Sequence, residues 1–288
     1  MHMKQRTKHI YSIITVGVLL ALLSLLEANK FQYGMLYSLL QKSAILSVVA
    51  VSMNLLNGFT GLFSLGQAGF MSIGAYITAL LIIPVASFEG VYYTGSVHPG
   101  ILALRTAMEA APDWVQGVYP FLALILGGLG AALLSALIGL PVLRLKSDYL
   151  AIATLGFSEI IRAIMSSPQM DSITNGSYGL NKIPAFPKML GGLMPALITP
   201  FLIAGVCILL MVLLINSSYG RAFKAIREDE IAAEAMGISL FKHKQIAFII
   251  SSFFTGIGGG LLAMYMRSIE AKTFSIALTY DILLIIVI

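Results

Sequence analysis

Charge is what this chain has least of: aspartate, glutamate, lysine and arginine make up 11% of its 288 residues, against about 25% in a soluble domain. Neither a solvated globular surface nor a disordered polyelectrolyte can be built from that. Cysteine is nearly absent, and the single Cys207 excludes an intramolecular disulfide. The four histidines, His2, His9, His98 and His243, are scattered and lack a cysteine or carboxylate at metal-ligand spacing. No GxSxG, HExxH or GxxxxGK[ST] pattern occurs. The chain therefore offers no catalytic constellation and no recognised means of hydrolysing a nucleotide on its own.

What fills the chain is apolar, 58% of all residues, and only a polytopic membrane protein needs an apolar exterior as well as an apolar interior. The expected fold is an all-α bundle. A crossing helix needs about 20 mainly apolar residues, and eight runs approach that: Ile10 to Leu26, Gly34 to Leu56, Leu62 to Ile83, Val118 to Leu143, Tyr149 to Met165, Pro195 to Ile215, Ile246 to Met266, and Ile276 to Ile288. The last is short and has no polar tail, so the sequence reads as cut off inside a helix, with eight or more spans in one transmembrane domain over residues 1–288. The first follows a basic start but no Ala-x-Ala site, and reads as a retained helix rather than a signal peptide.

The net charge of +5 bears on sidedness in the bilayer rather than on nucleic acid. With the N-terminus in the cytoplasm and the runs alternating, the inner segments hold ten positive and five acidic residues, and the outer segments hold six of each. The whole excess falls inside, as the positive-inside rule requires. The outer loops at 84–117 and 166–194 are long. The first contains a short helical stretch, Ile101 to Ala111, with Arg105 and Glu109 one turn apart, expected to lie along the outer interface. The second carries "TNGSYGLNKIPAFP" (Thr174 to Pro187), whose glycines and prolines impose turns; a connector, a gate and a docking surface all fit it.

Three features stand out at membrane depth. Small residues recur four apart at Gly127 and Ala131, Gly128 and Ala132, Ser135 and Gly139, and Gly256 and Gly260, which lets helix backbones approach closely. From Asn57 to Tyr76, five glycines alternate with polar residues, the pattern of a broken or kinked helix. Transporters set such breaks beside their path, so Asn57, Ser64, Gln67 and Ser72 are candidates to line one, with a packing kink as the alternative. Glu159 and Arg162 share a helix face, as an ion pair or as part of a path or gate.

The most informative segment is polar: "NSSYGRAFKAIREDEIAAEAMGISLFKHKQ" (Asn216 to Gln245), on the inner side. Its composition predicts helix from Gly220 to Met236, broken near Glu228 and Asp229 and stopped by Gly237. Phe223, Ile226, Ile231 and Met236 form no single stripe, so the segment either packs on the bundle or protrudes toward a partner.

Four blocks resemble a known family, the permease subunits of branched-chain amino acid ABC transporters, LivM type: Asn57 to Tyr76, Leu143 to Arg162, Thr174 to Pro184 and Ser217 to Ile238. The resemblance implies an importer of the bacterial cytoplasmic (inner) membrane with two homologous permease chains, two cytoplasmic ABC ATPases that bind ATP, and an external binding protein that delivers the amino acid. This chain would carry no cofactor, bind no nucleic acid and be no enzyme. ABC importers dock a loop of EAAxxxG pattern on the ATPase, and "IAAEAMG" matches it at Ala232, Ala233 and Gly237, with Ile231 in place of the first glutamate. The resemblance thus implies ATPase coupling by residues 216–245, through Arg221, Arg227, Glu228, Asp229, Glu230, Ala232, Ala233, Glu234 and Gly237. Urea or short-amide permeases share the same blocks, and a self-contained secondary transporter is the rival from another class.

Overall fold

The computed structural model describes residues 21–27, 29, 32–92, 97–145, 147–186 and 195–288. The first apolar run therefore lies outside the described residues except for a helix over 21–27. The fold is all helical. The helices are α1 (Gly34–Asn54), α2 (Gln67–Ile82), α3 (Pro99–Glu109), α4 (Asp113–Val142), α5 (Ser147–Met165), α6 (Ile198–Asn216), α7 (Ser218–Glu228), α8 (Glu230–Ala235), α9 (Leu240–Met266) and α10 (Ile276–Val287).

Four helical stretches are long and apolar enough to cross a bilayer: Gly34–Phe59, Asp113–Val142, Ile198–Asn216 and Leu240–Met266. A pair of helices, Tyr149–Met165 and Pro168–Thr174, bent by 61°, makes a fifth when counted as one broken span. Among the described residues this does not confirm the expected eight or more spans. The run from Leu62 begins as coil, leaving α2 with 16 helical residues, about 24 Å at 1.5 Å per residue and short of a bilayer core of roughly 30 Å.

Helix α9 is the axis of the bundle, packed against α4, α2 and α1. Its glycines make this possible. A Cβ added at Gly74 of α2 would lie 2.1 Å from the Gly256 carbonyl oxygen, and one at Gly259 would lie 2.1 Å from the Met71 carbonyl oxygen. The backbones of α2 and α9 touch directly, the dense contact that replaces hydrophobic drive inside lipid. Leu129, Leu133, Leu137, Leu209 and Leu213 remain exposed on α4 and α6, the apolar exterior that the composition demanded.

Polar segments sort to two ends. At one, the α1–α2 connection, residues 143–145 and α7–α8 converge: Lys224 lies over the Phe59 ring at 5.6 Å and Arg144 over Phe241 at 5.9 Å. At the other, Leu180 and Ile269 form an antiparallel bridge, and Asn175, in the left-handed region at φ 57, donates to the carbonyls of Val91 and Gly179, both at 2.8 Å. The Tyr92 hydroxyl donates to the Ile173 carbonyl at 2.6 Å, and burial pushes its pKa up to about 12, so it stays a donor at neutral pH. Residues 166–186 are thus a set of turns knitted to their neighbours. Helix α3 forms as expected, with Arg105 bonded to Glu109 at 2.9 Å and to the carbonyl of Ile83 at the end of α2, also at 2.9 Å.

The α2–α9 contact makes a simple stability test. Gly259→Val should cost at least about 1–3 kcal/mol through overpacking, seen as a lower unfolding temperature in detergent. Gly205→Ala, where nothing lies within 4 Å of the added carbon, should leave that temperature unchanged or raise it.

Candidate functional site

The site grows from the break between α1 and α2. Helix α1 widens into a π-turn over Leu55–Phe59, and Gly61 then turns the chain at φ +73, a conformation side-chain-bearing residues rarely adopt. Residues Gly61 to Leu65 lie outside any helix, so their backbone must find partners elsewhere, since lipid supplies none. Thr60 donates its hydroxyl to the Leu55 carbonyl at 2.9 Å, the Ser64 amide donates to Asn57 Oδ1 at 3.2 Å, and the Leu65 amide donates to Thr154 Oγ1 of α5 at 3.0 Å. The Ala68 amide, in the first turn of α2, donates to Thr279 Oγ1 of α10 at 3.2 Å. The first two bonds close the break on itself, and the last two tie it to α5 and α10.

One further bond comes from α7. Arg227 Nη1 donates to the Gly58 carbonyl oxygen at 2.9 Å, while its other nitrogens pair with Glu228. The Arg227 side chain lies over Gly61 so closely that an added Cβ would meet its Cγ at 3.0 Å. The segment expected to face a partner is therefore also latched to the break.

The two helices of that segment divide the work. Phe223 and Ile226 of α7 are fully buried in the bundle, and His243 of α9 stands against the Tyr219 and Phe223 rings. Asp229 ends α7 and caps α8, accepting from the amides of Ile231 at 2.9 Å and Ala232 at 3.1 Å. Helix α8 stops at Gly237, at φ +85, with the Ile238 amide reaching back to the Ala233 carbonyl at 3.1 Å. Ala233 is buried, and Glu230 holds Lys244 at 2.7 Å. The remaining side chains face out: Arg221, Ala232 and Glu234 are exposed, and Ile231 and Met236 are 83% and 82% exposed.

The six path candidates all fall on the break, α2 or α5, which pack together. Gln67 is buried in a polar network: Thr255 donates to its Oε1 at 2.6 Å, its Nε2 donates to Ser251 at 3.4 Å, and Ser251 donates to the Ser52 carbonyl at 2.6 Å. This network joins α1, α2 and α9. Asn57 and Ser64 serve the break. Ser72 is buried without a hydrogen-bond partner, as are the hydroxyls of Tyr76 and Ser158, two residues that sequence reasoning missed. Ser158 lies on the α2–α5 seam, where a Cβ on Gly69 would come within 2.9 Å of its Cα. Such hydroxyls call for an explanation in a native fold. Glu159 and Arg162 form an ion pair on α5.

The family model for the branched-chain amino acid transport system permease component matches residues 35–288. Among curated relatives, the high-affinity branched-chain amino acid transport system permease protein LivM of Escherichia coli (strain K12) is 32% identical over 267 residues, covering 83% of this chain and 55% of that protein. The probable branched-chain amino acid transport permease protein LivM of Methanocaldococcus jannaschii is 28% identical over 236 residues, 79% of this chain and 67% of its own length. The guanosine ABC transporter permease protein NupQ of Bacillus subtilis is 25% identical over 211 residues, 71% and 59% of the two chains. This chain thus spans about half the length of the Escherichia coli relative. No solved structure matches it.

A double-mutant cycle isolates the latch. Gly61→Ala should destabilise the protein both by its positive φ and by pushing on Arg227. In an Arg227→Ala background only the first cost remains, so the two losses in unfolding free energy should fall short of additivity by about 0.5 kcal/mol or more.

Proposed function

The chain belongs to the branched-chain amino acid transport system permease family, and from that premise we propose that it is a membrane-spanning subunit of an ATP-driven importer for branched-chain amino acids. Cytoplasmic ATPase subunits bind and hydrolyse the ATP, a second homologous permease chain completes the membrane part, and an external binding protein delivers the amino acid. The protein sits in the bacterial inner membrane with its N-terminus, and the end bearing α7 and α8, in the cytoplasm.

The observation that carries this reading is the division of labour between α7 and α8. An exposed apolar pair, Ile231 and Met236, with the exposed Glu234 on the same short helix, is a knob for an apolar groove. Buried Phe223 and Ile226, with Arg227 on Gly58, give that knob a rigid connection to the break. A partner that closes on ATP would push α8, and α7 would carry the push to the α1–α2 turn. A self-contained secondary transporter would have no use for such a knob. The path runs along the α2–α5 seam, where the unpartnered hydroxyls of Ser72, Tyr76 and Ser158 await a polar cargo, Glu159 and Arg162 flank it, and the Gln67 network holds α2 against α9.

The test is uptake by the complex reconstituted in vesicles with its binding protein. Leucine, isoleucine and valine should enter only with ATP, and guanosine and urea should not. Ile231→Asp combined with Met236→Asp should reduce both ATPase recovery with the permease and uptake at least about tenfold. Leucine transport by the isolated chain without ATP would contradict the proposal.

A further inference from the structure

At the end of the bundle opposite α8, a cavity of about 390 Å³ opens between the helix over 21–27, the start of α1, the end of α9 and the chain on either side of residues 187–194. Its size falls in the range of small-molecule sites, roughly 300–1,000 Å³. Six of its walls decide its chemistry: Glu27, Tyr37, Gln41, Phe186, Met264 and Arg267.

Opposite charges face this one space without neutralising each other. Neither Glu27 nor Arg267 has an ion-pair partner among the described residues. The Glu27 carboxylate is fixed through Oε2, which accepts from the Leu197 amide at 2.8 Å, and the Tyr37 hydroxyl stands beside it in the same cavity. Gln41 braces the same wall, donating to the Ala196 carbonyl at 3.0 Å. Arg267 is held in the left-handed region at φ 60, which a side chain of its size rarely adopts, by bonds from its own amide to the Ala263 carbonyl and from the Ile183 amide to its carbonyl. This is the left-handed cap that ends α9, so the helix terminus sets where the arginine stands. Buried Phe186 and Met264 add an apolar part to the same lining.

We propose that this cavity is the outer receiving site for the cargo, and that it recognises a zwitterionic α-amino acid with an aliphatic side chain. The ammonium group bonds Glu27, the carboxylate bonds Arg267, and the side chain rests on Phe186 and Met264. Requiring both charges at once separates amino acids from amides and nucleosides, which lack the pair. The inference rests on the importer reading and adds to it the residues that select the cargo before it reaches the α2–α5 seam.

The test uses the permease–ATPase complex in detergent without its binding protein, and reads the shift in unfolding temperature that a ligand confers by binding the folded state. Leucine should raise that temperature, whereas leucinamide, lacking the carboxylate, and 4-methylpentanoate, lacking the ammonium, should not. The shift should vanish in Glu27→Gln and in Arg267→Gln, a loss of at least about tenfold in affinity for each charged bond removed, and return in part in Arg267→Lys, which keeps the charge and the same backbone demand. A leucine shift undiminished in both neutralised variants, no shift in the wild-type complex, or a loss in Arg267→Gln that Arg267→Lys leaves unrelieved would each overturn the assignment. Failure of ATP-driven leucine uptake by the wild-type complex would instead sink the importer reading, whatever the thermal shift shows.

Discussion

Backbone hydrogen bonding in the absence of water is the constraint from which the rest of this structure follows. The chain leaves its helical path between Leu55 and Gly66, and lipid cannot satisfy the amides and carbonyls set free. Partners are recruited from three other helices: Thr154 of α5, Thr279 of α10 and Arg227 of α7. Those bonds fix where the three helices sit, so the break organises the bundle as much as it interrupts it. Gly61 is at the centre because the turn needs its positive φ and Arg227 needs its lack of a side chain.

Function then follows from what the break is fastened to. Helix α7 is buried by Phe223 and Ile226 and holds Gly58, while α8 leaves Ile231 and Met236 in the open. Force applied to α8 has a short, stiff route to the turn that carries Asn57 and Ser64 and leads into α2. On the far side α2 meets α9 through bare backbone at Gly74 and Gly256 and through the polar network of Gln67, Thr255, Ser251 and Ser52. A contact of that kind has a limited set of arrangements, which suits an element that must pass between two states of similar energy.

Local chemistry was legible in the sequence. The stop at Gly237, the junction at Glu228 and Asp229, the Arg105–Glu109 pair and the close-packed glycines all depend on neighbours within a turn or on a repeating face, and all are found in the structure. Long-range pairings were not. Nothing near Arg227 in the sequence points to Gly58, so the residue read as a partner contact turns out also to hold the break. Glu27 and Arg267 come from opposite ends of the chain, and only folding sets them on one cavity. Hydropathy does not distinguish an apolar coil, Gly61 to Gly66, from an apolar helix, so the run read from Leu62 yields a helix only from Gln67. The hydroxyls of Tyr76 and Ser158 carried no signal, since a lone serine in a helix usually bonds its own backbone and a lone tyrosine in an apolar run reads as packing.

The central claim is that the end bearing α7 and α8 faces the cytoplasm, where a nucleotide-hydrolysing partner can grip it. Thiol labelling of a Met236→Cys variant measures this directly, because the native Cys207 is buried in α6 and the introduced thiol stands in the open. A membrane-impermeant maleimide should leave intact cells unlabelled and react fully once the inner face is exposed in inverted vesicles. Labelling in intact cells, with protection in inverted vesicles, would set α8 on the wrong side of the membrane and contradict the account.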